Sequence, residues 1–441
     1  KKITGILKKQ KEVFNEIQRI KKITTADVLR KVVFKLKPAY KPFQRYGGLI
    51  GTIAYDLIDQ FEELPKNKKD ILKEPDLEMN FYDNLFLINH KTKKITFIAN
   101  ALIFDEKDKK EEEQRCTKII ENYLKKLNSD IPKSKKPKGE KPIVETDTNK
   151  EEFMKIVKDL KKHIVLGDVF QVVPSRTITS TFTAEPLDIY ESLRKVNPGP
   201  YMFYIKHSSG IVLGSSPEMY IKVNGGKSKK IEIRPIAGTR PRGFKNGKID
   251  SNLDYKYEVE LRNDPKELAE HTMLIDLARN DVARVSTPGS RHCDNPYMVE
   301  KYSHVQHLVS SITGHLKPDL DALHAYLASM NMGTLTGAPK VEAMKLIRKT
   351  EKTRRGYYGG SIGYITPSGD LDSAIIIRSL SLKNNKAYSR VGAGIVYDSV
   401  PEKEFIETEK KASAVIKAIK IAEGFKWEFY LSIILTLLLI T

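Results

Sequence analysis

The sequence predicts an α/β chain of the α+β type, a large antiparallel β-sheet core flanked by helices. Three observations predict it. Short runs rich in β-branched and aromatic residues recur after residue 169, and many are joined by short connections, which favours antiparallel pairing. Longer amphipathic stretches stand between them and read as helices. With 441 residues, 40% hydrophobic and 30% charged, the chain can bury a sizeable core and has room for two or three domains.

The elements follow in chain order. Residues 5–35 read as helical, and Tyr46–Tyr55 as a Gly-rich strand. Asn84–His90 and Lys94–Asn100 form a strand–turn–strand unit around His90-Lys91-Thr92-Lys93. Glu111–Leu127 is helical and closes an amino-terminal subdomain, 1–128. Residues 129–149, rich in Lys and Pro, read as a linker or exposed loop. A larger domain, 150–422, opens with an amphipathic helix at Glu151–Leu166 that Gly167 ends. Strands are expected at Val169–Val173, Tyr201–Lys206, Ile211–Ser215, Tyr220–Val223, Ile231–Ile233, Gly359–Ile365, Ala374–Leu382 and Ala387–Ala393. Helices are expected at Pro265–Leu277, Leu320–Ser329, Lys340–Thr350 and Lys403–Ala422. Residues 423–441 form an atypical apolar tail. Its run Phe429–Ile440 falls short of the ~20 apolar residues a spanning helix needs, so no membrane partner is expected.

Composition excludes several classes. Collagen-like, coiled-coil and disulfide-scaffold readings fail on 26 Gly, 21 Pro and 2 Cys. The two cysteines and the lack of an apolar leader segment point to a reducing, cytoplasmic setting. Lys and Arg number 76 against 56 Asp and Glu, a net charge of +20. The basic residues are scattered and no nucleic-acid motif accompanies them, so nucleic acid is not the expected partner. A small anionic substrate suits the charge equally well.

Some polar groups have spacing that fits chemistry. Glu267 and Glu270 share one face of a helix, and Glu404 and Glu407 repeat the spacing on another. Two such pairs suit a hard divalent cation such as Mg²⁺, though acidic pairs at this spacing are more often solvated surface. Gly-rich turns stand at Gly238–Gly243, Gly333–Lys340 and Gly392-Ala393-Gly394. With Arg378 and Tyr358 they suit a pocket for a small polyanion, and neither longer turn has Walker spacing. His307 reads either as an acid–base group or as a satisfied core histidine.

Taken together these segments closely resemble component I of anthranilate synthase, in the chorismate-utilising family. The matching runs include Gly167–Arg176, Asn197–Met202, Gly214–Glu218, Arg234–Gly243, Lys266–Asp281, Tyr302–His307, Gly333–Lys340, Arg354–Gly360 and Gly392–Pro401. The resemblance implies that family's fold and a lyase that makes anthranilate and pyruvate from chorismate and ammonia, the first step of tryptophan biosynthesis. It implies Glu270 and Glu407 as Mg²⁺ ligands, supported by Glu267 and Glu404. By the same resemblance His307, Glu218 and Thr334 are catalytic. Gly238, Thr239, Tyr358, Arg378, Gly392, Ala393 and Gly394 bind substrate. Gln171 stands where water-adding members carry Lys, and Ala237 where aminodeoxychorismate-forming members carry Lys, so both favour anthranilate as product.

The resemblance further implies a glutamine amidotransferase subunit as ammonia source, hence a hetero-oligomer. The family's amino-terminal Leu-Glu-Ser run, which lines a tryptophan feedback site, has no counterpart here. Pro200, Tyr201 and Met202 match the other half of that site, so the regulatory part is expected to be truncated. Two alternatives stand beside this reading: a non-catalytic remnant that folds or only binds the glutaminase subunit, and component I of aminodeoxychorismate synthase.

Overall fold

The computed structural model describes residues 21, 23–38, 45–130, 137, 139–302 and 304–425. Among them, two antiparallel sheets lie face to face between outer helices, as the sequence predicts. The larger, nine-stranded sheet runs Ile236–Pro241, Val305–His315, Lys230–Ile233, Met219–Val223, Leu371–Ile375, Ser361–Ile365, Gly48–Ile53, Leu77–Tyr82, and His292–Lys301 pairs on Val305–His315 as well. The six-stranded sheet runs Val144–Thr146, Ser175–Thr181, Lys386–Gly392, Ser379–Lys383, Ile211–Ser216, Tyr201–Lys206.

Alternation along the strands decides the layering. Ile205, Val212, Ile362 and Ala374, one pair from each sheet, meet in a buried layer between the sheets. On the outer face of the large sheet, Tyr220, Ile231 and Ile312 pack with Ile275, Val282 and Leu323 of the helices Pro265–Val285 and Ala322–Ser329. On the outer face of the small sheet, Leu213, Leu380 and Ala387 pack with Ile189, Leu193, Val415 and Ile419 of Pro186–Val196 and Pro401–Ala422. Each fully buried aliphatic side chain of this kind contributes about 1.5–3 kcal/mol.

Most expected helices form within a few residues of their bounds. Lys150–Val165 starts on a capping box in which Asn149 and Glu152 satisfy each other's free N–H groups, and it buries Phe153, Val157 and Leu160. Pro265–Val285 runs eight residues beyond the expected Leu277, with Asp264 capping it through the N–H groups of Lys266 and Glu267. Of the expected 5–35 helix, Ala26–Val33 is helical and residues 5–20 lie outside the described set, as does the apolar run Phe429–Ile440.

Several expectations need correction. Gly238–Gly243 is not a free turn: Ile236–Pro241 is a strand, bulged between Ala237 and Thr239 where Gly238 takes φ +65°. Val169–Val173 shortens to Gln171–Val172. The single strand expected over Ala374–Leu382 is two strands, Leu371–Ile375 and Ser379–Lys383, which belong to different sheets. The corner between them holds Arg378 at φ +48°. A second passage between the same sheets joins Ile211–Ser216 to Met219–Val223, and Glu218 sits in it.

Candidate active site

The two passages between sheets lie side by side, because Ser215 N donates to Arg378 O at 3.2 Å and Ile375 N donates to Glu218 O at 3.1 Å. Glu218 is therefore buried beside Arg378. Burial pushes its carboxyl up to about 8, and Lys411 and Arg378 only partly offset this. The Thr334 hydroxyl makes no hydrogen bond of good geometry, yet lies near enough to the Glu218 carboxyl to be the foremost of the groups that offset burial there. At neutral pH Glu218 is thus a protonated acid in a cationic surrounding.

His307, on the strand Val305–His315, has the opposite bias. Its Nδ1 lies 2.9 Å from Gly238 O and 3.1 Å from Thr239 Oγ1. A carbonyl only accepts, so Nδ1 carries the proton and Nε2 keeps its lone pair. That Nε2 is buried without a partner. Burial lowers the imidazole from its ordinary value, and the nearby Arg378 adds to this. His307 is thus neutral, with a free acceptor nitrogen.

The acidic pairs meet across two helices. Glu270 is pushed up to about 7, first by burial and then by the like charges of Glu267 and Glu407. Glu404 is raised by burial and by Glu407. Glu267 bonds Arg240 at 3.2 Å, and Glu407 bonds Lys411 at 2.6 Å. Lys411 Nζ also donates to Gly392 O at 2.9 Å. Among the described residues no three His, Cys, Asp or Glu side chains converge as a ready metal cage. Two mutually repelling carboxylates with hard oxygen donors nonetheless fit Mg²⁺, which usually takes one or two carboxylates and keeps waters or substrate oxygens for the rest.

The glycines form the wall. A Cβ on Gly394 would stand 2.5 Å from Gln171 Nε2 and 3.8 Å from Glu270 Oε1. One on Gly392 would stand 2.6 Å from Pro174 O and 3.0 Å from the Tyr358 hydroxyl, and one on Gly238 would stand 3.1 Å from Glu267 Oε2. Ala393 is fully buried beside them and donates its N–H to Pro174 O at 3.3 Å. Gln171 Nε2 reaches Glu270 Oε1 at 3.5 Å, while its Oε1 is buried and unpartnered. Gln171 Oε1, Thr334 Oγ1 and His307 Nε2 are thus three orphaned polar atoms, a condition that buried groups avoid unless a ligand satisfies them.

The structure therefore brings together Glu218, Thr334, Gly238, Thr239, His307, Glu267, Glu270, Glu404, Glu407, Tyr358, Arg378, Gly392, Ala393 and Gly394. Pro200, Tyr201 and Met202 lie elsewhere, around the start of the edge strand Tyr201–Lys206. There Tyr201 donates to Asp372 Oδ1 at 3.1 Å and Gly199 N–H meets Met202 Sδ at 3.4 Å. Sequence reasoning missed Lys411. Its signal was available, since Lys411 stands four residues after Glu407 on one helix face.

The comparisons with known proteins agree with this geometry. Residues 3–417 match the chorismate binding enzyme family. The chain belongs to the chorismate-binding enzymes. It is 45% identical over 413 residues to anthranilate synthase component 1 of Buchnera aphidicola subsp. Pemphigus spyrothecae, covering 93% of this chain and 78% of that protein. It is 46% identical over 375 residues to anthranilate synthase component 1 of Escherichia coli K12, covering 84% and 70%. Among solved structures, anthranilate synthase component I from Streptococcus pneumoniae TIGR4 superposes with a TM-score of 0.78 at 33% identity, over 88% of this chain and 85% of that one. The menaquinone-specific isochorismate synthase MenF from Escherichia coli shares the fold, with a TM-score of 0.69 at 18% identity over 90% and 83%.

Proposed function

We propose that this chorismate-binding enzyme converts chorismate and ammonia into anthranilate, pyruvate and water. The observation that carries the reading is the paired bias at the site. Glu218 is a buried acid held protonated, and His307 is a buried imidazole held neutral with Nε2 free. A reaction that expels a hydroxyl and then removes a ring proton needs one group of each kind.

Ammonia adds at C2 of chorismate as the 4-hydroxyl leaves. Glu218 gives that hydroxyl its proton, so water rather than hydroxide departs. His307 Nε2 takes the C2 proton as the bond from C3 to the ether oxygen breaks and the ring becomes aromatic; the enolpyruvate so released takes up a proton at its methylene carbon, balancing the one that His307 removed, and becomes pyruvate. Arg378 and Tyr358 hold the arm's carboxylate against the backbone at Gly392, Ala393 and Gly394, where absent side chains leave room. Thr334, Gly238 and Thr239 line the ring. Lys411, between Glu407 and Gly392 O, faces the ring carboxylate as a countercharge.

Glu270 and Glu407 hold Mg²⁺, with Glu267 and Glu404 behind them; the ion supplies positive charge for the ring carboxylate. Gln171 and Ala237 support ammonia as the direct nucleophile. A neutral amide cannot deprotonate water, and Ala237 offers no amine. The relatives' designation as component 1 supports a second component, which we take to be a glutamine amidotransferase subunit that supplies ammonia within a hetero-oligomer. Among the described residues no helix is long and apolar enough to cross a membrane, and we place the reaction in the cytoplasm.

The test is direct. Purified chain is mixed with chorismate, Mg²⁺ and ammonium at mildly alkaline pH, and anthranilate fluorescence is followed. Formation of anthranilate with equimolar pyruvate supports the reading. A folded chain that consumes chorismate to another product, or not at all, overturns it.

A further inference from the structure

Behind the carboxylate pocket lies a buried charge cluster that the proposed reaction leaves unused. Glu351, Arg355 and Arg390 are all nearly inaccessible to solvent. Arg355 Nη2 lies 2.6 Å and its Nε 3.1 Å from Glu351 carboxylate oxygens, and Arg390 Nη2 lies 2.7 Å from Glu351 Oε2. One carboxylate thus answers two guanidinium groups. Burial alone would raise the Glu351 carboxyl, yet the two arginines and the Ser175 hydroxyl hold it below its ordinary value.

The remaining donors of Arg355 point at the walls of the pocket. Nη1 donates to Leu335 O at 2.6 Å, and Nη2 donates to Val173 O at 2.6 Å. Leu335 lies between Thr334 and Thr336 in the short helical turn Gly333–Thr336 that lines the pocket. Val173 precedes Pro174, whose carbonyl accepts from Ala393 N–H at 3.3 Å. The guanidinium also stands over the rings of Tyr55, at 4.5 Å, and Tyr358, at 5.7 Å. Tyr55 in turn bonds Thr336 Oγ1 at 3.1 Å. Glu351 continues the chain outward, accepting from Ser175 N at 2.9 Å and from Ser175 Oγ at 2.7 Å. Ser175 is the register partner of Gly392. Arg355, with Glu351, therefore ties the Thr334 turn, the strand facing Gly392 and the Tyr358 ring into a single unit.

We propose that Arg355 is the positioning residue of the enolpyruvyl-carboxylate subsite, fixing Tyr358 and the helical turn at Thr334 against the Gly392–Gly394 wall. The inference rests on the functional reading above. Arg355 touches no reacting atom in it. Glu218 and His307 make none of these bonds, so the chemical step keeps its acid and base. What Arg355 sets is the placing of a carboxylate present in the substrate from the start. Losing such an interaction weakens ground-state binding, with a smaller effect on turnover. Lysine is no equivalent, because three donors on a flexible stem cannot replace five on a fixed fork.

The experiment uses the full chain with chorismate, Mg²⁺ and ammonium. Arg355→Met is expected to raise the chorismate KM about tenfold or more, with kcat within about threefold of wild type. Arg355→Lys is expected to recover only part of the loss. Benzoate, which carries a ring carboxylate and no enolpyruvyl arm, is the control inhibitor, and its Ki is expected to stay within about twofold. In a Tyr358→Phe background the Arg355→Met effect is expected to shrink, because both changes disable the same subsite. If Arg355→Met does not fold, Glu351→Gln, which keeps the shape and removes the charge, is expected to give the same split between chorismate KM and benzoate Ki.

Parallel losses for chorismate and benzoate would mean general loosening and overturn the role. So would an unmoved chorismate KM in a wild-type-like fold, or full multiplicativity with Tyr358→Phe. A wild-type chain that forms no anthranilate and binds no chorismate would instead overturn the functional reading, and this inference with it.

Discussion

Replacing Glu218 by Gln is expected to stabilise the fold while removing catalysis, and the size of the gain follows from the burial of this carboxyl. In the folded chain Glu218 titrates near 8 instead of 4.5, chiefly because burial disfavours its charge. The side chain is 7% exposed, so solvent screening offers little relief. At ~1.4 kcal/mol for each factor of ten, ionising it costs about 5 kcal/mol more inside the fold than in the unfolded chain. The sign is fixed by the order of the two values. Below about pH 4 the carboxyl is protonated in both states and costs nothing. From there to about pH 8 the unfolded chain ionises and the folded one does not, so stability falls by ~1.4 kcal/mol per pH unit. At pH 7 about 3 kcal/mol has been lost. Gln has the same shape and no charge to lose. Urea unfolding of both chains should therefore give near-equal stabilities at pH 4 and a gap of about 3 kcal/mol in favour of Glu218→Gln at pH 7, levelling off above pH 8. Turnover should fall by about 10²–10⁴, the usual worth of a general acid. A gap that stays constant from pH 4 to 8 would show that Glu218 ionises normally, and its role as the proton donor would fall.

Other expectations follow from the same site. The pH profile of kcat/KM should be a bell, falling above about pH 8 as Glu218 ionises and falling on the acid side, below the ordinary imidazole range, as His307 gains a proton. EDTA should abolish anthranilate formation and added Mg²⁺ restore it, whereas Glu407→Ala should need far more Mg²⁺ for a rate reduced by about tenfold or more. Gly392→Ala should raise the chorismate KM at least about tenfold and also lower stability, because the new Cβ stands 2.6 Å from the backbone oxygen of Pro174, which must give way, and 3.0 Å from the Tyr358 hydroxyl in the space assigned to a carboxylate; an unchanged KM would move the carboxylate elsewhere.

Elements whose own residues set their ends were legible in the sequence. The helix expected at Glu151–Leu166, ended by Gly167, formed at Lys150–Val165, and Lys340–Thr350 formed with the expected bounds. Strands whose partners decide them were not. Ser175–Thr181 is mostly serine and threonine and shows little hydrophobic alternation, yet it sits inside the small sheet, paired on both sides. His292–Lys301 is hidden by a register shift between Asp294 and Met298, where Asn295 and Tyr297 take positive φ. The site divides in the same way. Glu267 with Glu270, and Glu404 with Glu407, were visible as helical pairs, but spacing cannot tell a solvated face from two helices that aim their carboxylates at each other. What distinguishes them is the burial of Glu270, which with the like charges of Glu267 and Glu407 lifts it to about 7.

The apparent strand Ala374–Leu382 shows why the most informative positions are the hardest to read. Ala374, Ile375, Leu380 and Leu382 do belong to strands, whereas Ile376 and Ile377 lie in the corner; a continuous strand would have placed Arg378 in the middle of a sheet. The chain instead changes sheets there, and Arg378 takes a left-handed φ of 48°, a conformation that non-glycine residues adopt at a cost of order 1 kcal/mol. The neighbouring passage does the same for Glu218. Hydrogen bonds from Ser215 N to Arg378 O and from Ile375 N to Glu218 O lock the two corners together. A cation and a buried acid are thereby held side by side, where neither sheet alone would place them. The strain at Arg378 and the displaced titration of Glu218 share one cause: the backbone of two sheets fixes both residues before any substrate arrives.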